Sequence, residues 1–264
     1  FYSLFTYFFY SPLKFILSIP MSRFENTTIA SWQAIWRSKN VTIEGDDLLS
    51  ALIKADGFDT GFGDYDAPAW REMVKDAFDK IHIDDTSTVL EIGCGSGAFL
   101  YEISKLSNCS IFGIDYSESL IADAQKFIPN GAFSVSEANN LPFDNGFFDA
   151  ILSHGVFFYF PSYEYTLEVM TQSYAKLKPG GYFCLMDLND LLYKGEYHDF
   201  RRSQAADPLD YDRKYAGLDH LFFDKDRLAA DLSRIGFVEV ELFDHKIKSY
   251  LNSRFRFNMI MRKP

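Results

Sequence analysis

Three cysteines, Cys94, Cys109 and Cys184, are all that 264 residues contain, and no two of them form a CxxC pair. That leaves no disulfide framework and no zinc knuckle, and it suits a reducing, cytoplasmic compartment. Positive charge is also scarce: 26 Lys and Arg face 37 Asp and Glu, the net charge is −11, and no basic run interrupts the acidity. A nucleic-acid partner is argued against, because neutralising phosphates takes a basic face. Internal repeats, low-complexity linkers and a second domain boundary are missing as well. One large core, elaborated or carrying a lid, is expected.

Aromatic side chains are what the chain has in excess, with 27 Phe, 16 Tyr and 3 Trp making up 17% of it. Eight of them crowd residues 1–20, where Lys14 is the one charge. Pro12, Lys14 and four Ser/Thr residues dilute this stretch as a membrane span, and neither a basic start nor a small-residue cleavage site marks a signal peptide. Met21 opens an ordinary soluble pattern, so it is expected to be the natural start and residues 1–20 an upstream extension. An interfacial anchor and a lid helix are the competing readings.

Beyond Met21, Ile29, Trp32, Ile35 and Trp36 share one helix face, which reads as core packing. A loop with three Gly (56–68) and a helix over 70–80 complete an expected N-terminal helical lid, residues 21–84. Short apolar runs then alternate with helical patterns: 88–92, 111–115, 133–138 and 147–153, with helices near 97–107 and 118–128 between. This rhythm predicts βαβ units and a parallel sheet. A helix over 162–177, the turn Lys178-Pro179-Gly180-Gly181 and a strand over 182–187 add one more unit. Residues 188–223 are polar, aromatic and without clear periodicity, longer than a simple connection and therefore expected to be functional. Asp224 is a candidate N-cap for a helix that Gly236 stops, and two consecutive strands, 237–243 and 255–263, should pair antiparallel.

The most specific feature is VLEIGCGSGAFL (89–100), a buried strand followed by a turn in which Gly93, Gly95 and Gly97 open a helix. Missing Cβ atoms let a ligand approach the backbone while helical N–H groups face it. The next strand ends in Asp115, whose carboxylate can accept both hydroxyls of a ribose. A nicotinamide dinucleotide, an adenosine-type ligand and a bare structural turn all satisfy these facts.

Four blocks taken together, Glu91-x-Gly93-x-Gly95-x-Gly97, GIDYSESL (113–120), EANNLPFDNGFFDAILS (137–153) and KLKPGGYF (176–183), resemble class I S-adenosylmethionine-dependent methyltransferases in order and spacing. The resemblance implies a Rossmann-like, doubly wound α/β fold: a mostly parallel seven-stranded sheet with a C-terminal antiparallel pair, residues 85–264, capped over the acceptor site by the 188–223 insertion. It implies S-adenosylmethionine as cofactor, with the backbone of Gly93, Cys94 and Gly95 beside its methionine and ribose, Glu91 at the ammonium, Asp115 on the ribose hydroxyls and Tyr116 against adenine. Glu137 and Ala138 would read the adenine edge, although many relatives carry Asp where Glu137 stands, and Ser153 is counted with the cofactor residues. The Cys94 thiol is expected to be a small buried filler.

Side chains that could act on an acceptor lie just past the central strands. His154 follows the fourth strand, and His220 lies in the insertion within GLDHLFF; both are candidate general bases, each with a bland alternative, and His198 reads as a surface histidine. Asp187, ending the fifth strand, could orient an acceptor or cap a turn. Asp187, Asn189 and Asp190 have no partner motif for a metal. Aromatic walls are expected from Phe157, Phe158, Tyr159 and Phe160, from Phe58, Phe62 and Tyr65, and from Tyr193, Tyr197, Tyr211 and Tyr215 of the insertion. The expected activity is methyl transfer to a small molecule, at a hydroxyl or carboxyl oxygen before nitrogen, sulfur or carbon. A non-catalytic cofactor-binding partner and an NAD-dependent dehydrogenase are the alternatives.

Overall fold

The computed structural model describes residues 26–264 apart from 44, 46, 59–64, 206 and 248; residues 1–20 and Phe62 therefore lie outside the described residues. Three helices lead in: α1 (Asn26–Arg37), α2 (Leu48–Ala55) and α3 (Ala67–Lys80). Asp47 and Asp66 start the latter two by accepting the backbone N–H of Ser50 (3.2 Å) and Ala69 (2.7 Å), satisfying donors that a helix start leaves open. The alternating part runs β1 (Thr88–Ile92), α4 (Ala98–Leu106), β2 (Ser110–Asp115), α5 (Glu118–Phe127), β3 (Ala132–Val135), β4 (Phe148–His154), α6 (Tyr163–Lys176) and β5 (Leu177–Asn189). After it come α7 (Lys194–Gln204), α8 (Pro208–Lys214), α9 (Lys225–Ile235), β6 (Val238–Phe243) and β7 (Arg256–Arg262).

The strands form one sheet in the order β3-β2-β1-β4-β5-β7-β6. The pairs from β3 to β5 are parallel, and β7 runs antiparallel between β5 and β6. The core is split by the sheet because strand side chains alternate faces. Val89, Leu152 and Cys184 pack on one side with Phe99 and Ile103 of α4 and Ala124 of α5. Leu90, Ile151 and Phe183 pack on the other with Val169 and Met170 of α6 and Leu228 and Leu232 of α9. Chain order reverses between β1 and β4, and in an open α/β sheet a crevice forms at the carboxyl ends beside such a reversal.

Asp224 caps α9 through Arg227 N (2.9 Å), and Gly236 closes it with a φ of +122°. Two expectations need correction. The 188–223 segment is not irregular: it carries α7 and α8 and rejoins the sheet where Asp190 bridges Phe223. Its apolar positions are too sparse for a clear period, since Tyr197 is the one fully buried residue of α7. The expected turn at 178–181 is instead the irregular start of β5, where Lys178 Nζ meets Asp149 Oδ2 at 2.7 Å and the register with β4 shifts. Among the described residues no helix is long and apolar enough to cross a membrane.

Candidate active site

A cleft enclosing about 960 Å³, part of it open to solvent, lies over the carboxyl ends of β1, β2 and β4. Its floor is the glycine turn. Gly93, Gly95 and Gly97 have φ of +72°, +52° and +88°, a region that disfavours other residues, and the Ile114 carbonyl accepts both Gly93 N (2.8 Å) and Cys94 N (2.9 Å). The Cys94 thiol is buried behind the turn, and burial pushes its pKa well up.

Among the described residues four acids line the cleft, Asp56, Glu91, Asp115 and Glu137, and no Lys or Arg does. Asp115 accepts from Gly95 N (Oδ2, 3.1 Å) and Ser117 N (Oδ1, 2.8 Å), yet burial raises its pKa to about 6. Glu91 is buried with Oε2 unpartnered, and burial together with the charges of Asp56 and Asp115 pushes its carboxyl well above the usual range. Glu137, at the rim, accepts from Gln33 Nε2 of α1 at 3.1 Å, and Ala138 lies beside it in the wall. Tyr116 lines the same end, its phenol pushed up chiefly by burial.

Asp56 carried no signal in the sequence. It sits past the end of α2 and reaches across to the turn, accepting from Ser96 N (Oδ1, 2.6 Å) and Ala98 N (Oδ2, 3.2 Å). Those N–H groups open α4, the place where a dinucleotide's phosphate would be held. With an acid already there and three more in the walls, a pyrophosphate would meet only like charge. A ligand with a cationic end and a ribose fits instead: buried carboxylates for the cation, aromatic faces around it, and Asp115 at the rim of the turn.

Comparison with known proteins agrees with that fit. Residues 89–181 match the family described as a methyltransferase domain. The malonyl-[acyl-carrier protein] O-methyltransferase of Geobacter sulfurreducens is 23% identical over 73% of this chain and 73% of its own. This chain spans 47% to 62% of the lengths of three other curated relatives. In fold, a SAM-dependent methyltransferase from Methanosarcina mazei superposes with a TM-score of 0.55 at 19% identity, covering 70% of this chain and 96% of that one. Phosphoethanolamine N-methyltransferase 2 of Haemonchus contortus, with S-adenosylhomocysteine bound, gives 0.59 at 13% identity over 84% and 59%. Residues 89–181 are a methyltransferase domain, carried on the fold of the class I S-adenosylmethionine-dependent methyltransferases.

In this methyltransferase His154 ends β4 and lines the cleft. Its ring stacks on Phe58 (centroids 5.0 Å apart, 25° between planes), with Trp70 and Phe99 at 5.3 and 5.9 Å. Nε2 is buried with no hydrogen-bond partner among the described residues, and burial pushes the pKa down to about 4, which leaves the imidazole neutral. His220 is placed differently. It lies behind Trp32, on which it stacks at 5.0 Å, and behind Tyr159 at 5.3 Å, and its Nδ1 is 3.0 Å from Tyr197 Oη. Trp32 and Tyr159 line the cleft, whereas His220 does not. The Ser153 hydroxyl donates to Ile92 O at 2.8 Å, joining β4 to β1, and is not part of the lining. His198 is exposed on α7.

Asp187 neither faces the cleft nor caps a turn. With φ of +65° and no exposure, it accepts from Tyr250 Oη (2.8 Å) and pairs with Arg256 Nη1, while His245 Nε2 lies 3.3 Å from its Oδ1. Burial alone would raise its pKa, but Arg256 and His245 hold the carboxyl well below the usual range. The aromatic expectation also needs correction. Tyr193, Tyr197, Tyr211 and Tyr215 do not line the cleft: Tyr197 packs on Phe222 and Phe255, and Tyr211 and Tyr215 flank Arg201. Of the expected segments, Phe58, Tyr159 and Phe160 do line it, joined by Trp32, Trp36, Trp70, Phe99 and Tyr165. Trp32 and Trp36 read as core from their spacing, because spacing identifies the buried face of α1 without telling a core from a cleft.

Proposed function

We propose that this methyltransferase transfers a methyl group to a small-molecule acceptor, most readily at a hydroxyl or carboxyl oxygen, with His154 as the general base for a hydroxyl. The observation that carries this reading is the His154 Nε2 atom, neutral, buried in the cleft wall and without a partner among the described residues. When bound, S-adenosylmethionine supplies an electrophilic methyl on a sulfonium. The chain's own residues supply position and proton transfer. In this reading Glu91 and the Gly93-Cys94-Gly95 backbone hold the methionine end, Asp115 takes the ribose hydroxyls, and Tyr116, Glu137 and Ala138 border adenine. Ser153 supports them by bracing β4 on β1, and His154 would take the acceptor's proton as the methyl passes from sulfur to oxygen, S-adenosylhomocysteine being the other product. Such a base contributes about 10²–10⁴-fold, and alignment of the reactants more.

The wall of Phe58, Trp70, Tyr159 and Phe160 suits a planar or apolar acceptor and excludes water from the transfer. The N-terminal helices α1, α2 and α3 act as a lid, with α1 bound to the insertion through Trp32 Nε1 and Asp219 O (3.2 Å) and to the rim through Gln33. His220 braces that joint. The name of the Geobacter relative, an O-methyltransferase, supports the choice of oxygen. Three free, buried cysteines support work in a reducing compartment such as the cytoplasm.

The test is formation of S-adenosylhomocysteine against a panel of small hydroxyl and carboxyl compounds. With a hydroxyl acceptor found, His154→Gln should lower the single-turnover rate at least about 10²-fold while S-adenosylhomocysteine affinity stays within about threefold. Full turnover in that variant would remove the base assignment.

A further inference from the structure

The glycine turn is covered by a carboxylate from outside the four sequence blocks, and its position calls for a positive partner. Asp56 Oδ1 and Oδ2 accept the Ser96 and Ala98 N–H groups at 2.6 and 3.2 Å, and the Ser96 hydroxyl donates to Leu52 O at 3.2 Å, so the end of α2 is fastened onto the start of α4. Helix-start N–H groups prefer an anion, and Asp56 provides one within the chain. A fastening of that kind needs no ionised acid, since a neutral side-chain oxygen also accepts from a backbone N–H. Here the acid stands beside two others, Glu91 and Asp115, in a cleft with no Lys or Arg among its described lining residues, and like charges so placed oppose one another.

We propose that Asp56 is a cofactor-binding residue of this methyltransferase, forming with Glu91 a two-carboxylate seat for the α-ammonium group of S-adenosylmethionine. Both side chains border the cleft, Asp56 reaches the glycine turn, and Glu91 Oε2 has no partner among the described residues. The ammonium is the missing counter-charge: bound there, it converts a repulsive cluster into a paired one while the two N–H bonds keep Asp56 in place. Burial raises the Asp56 pKa to about 7, a cost that a cation beside it removes. The same residue ties cofactor to acceptor, since Phe58, two positions on, stacks on His154. Cofactor in the seat thus holds Phe58 and the base it packs against in one arrangement.

The inference rests on S-adenosylmethionine being the cofactor, and calorimetry with two probes separates the two ideas. S-adenosylhomocysteine carries the ammonium; 5′-methylthioadenosine has the same nucleoside and no amino-acid end. Asp56→Asn should weaken S-adenosylhomocysteine at least tenfold and leave 5′-methylthioadenosine within threefold, the second value also showing that the variant is folded. Asp56→Glu should restore part of the first affinity. Equal losses for both probes, or none for either, would overturn the proposal and reduce Asp56 to a fastening of the turn. Failure of the wild-type protein to bind either probe would overturn the cofactor assignment and this proposal with it, a result distinct from the others.

Discussion

Replacing Gly95 by alanine tests the packing of the glycine turn against Asp56 quantitatively. Gly95 has φ of +52°, which for an L-residue costs about 1–2 kcal/mol. A Cβ there would also lie 2.8 Å from Asp56 Cγ and closer still to its carboxylate oxygen. The carboxylate is short and pinned by Ser96 N and Ala98 N, so moving it weakens two charge-assisted hydrogen bonds, each about 1.5–3 kcal/mol. With partial relaxation, Gly95→Ala should destabilise by about 3–6 kcal/mol, a fall in Tm of roughly 10 °C for a chain of this size. Gly146→Ala is the control: its φ is +66°, but nothing lies within 4 Å of the added Cβ, so only the backbone strain applies. Urea denaturation of both variants gives the comparison. The double variant Gly95→Ala/Asp56→Ala should lose less than the sum of its parts, because the clash is gone once the carboxylate is. If Gly95→Ala costs no more than Gly146→Ala, the contact with Asp56 is not what the turn is built around.

Cofactor binding should depend on pH through the same acids. Asp56 and Asp115 titrate at about 7 and 6 in the fold, above the ordinary 3.8, so the free protein holds more protons than the unfolded chain between roughly pH 4 and 7. Their contribution to stability is fully present below pH 4 and lost as pH rises through 6 and 7; the cofactor-free Tm should therefore decline from pH 5 to pH 8, with each acid contributing on the order of 2 kcal/mol. Affinity for the cationic cofactor should run the opposite way, falling about tenfold or more as pH drops from 8 to 5.5, with flat calorimetric values across that range as the contrary result. Arg256→Met should destabilise by about 3–5 kcal/mol by taking the guanidinium away from the buried Asp187 carboxylate, whereas Arg256→Met/Asp187→Asn should recover part of that loss in denaturation experiments; equal losses would show the pair to be incidental. Asp115→Ala should reduce calorimetric affinity for 5′-methylthioadenosine as well as for S-adenosylhomocysteine by at least about tenfold, since a ribose contact is common to both and is worth more than one ordinary hydrogen bond.

What the sequence by itself determined is whatever depends on neighbours along the chain. Alternating apolar runs and helical faces defined the order of strands and helices, Asp224 and Gly236 bounded α9, and two strands without a helix between them paired antiparallel through β7. The glycine turn and Asp115 were legible for the same reason, because φ above zero and a strand-end acid are requirements at single positions. Tertiary structure alone decided which charges and rings meet. Asp56 reaches a turn 40 residues away, and Asp187 is paired by groups 63 and 69 residues further on; no local period carries such distances. The insertion's tyrosines pack among themselves and on α7, while Trp32 and Trp36, indistinguishable by spacing from core residues, form the cleft wall. Helical periodicity tells which side chains leave water, and only the packed fold determines whether they leave it for a core or for a ligand.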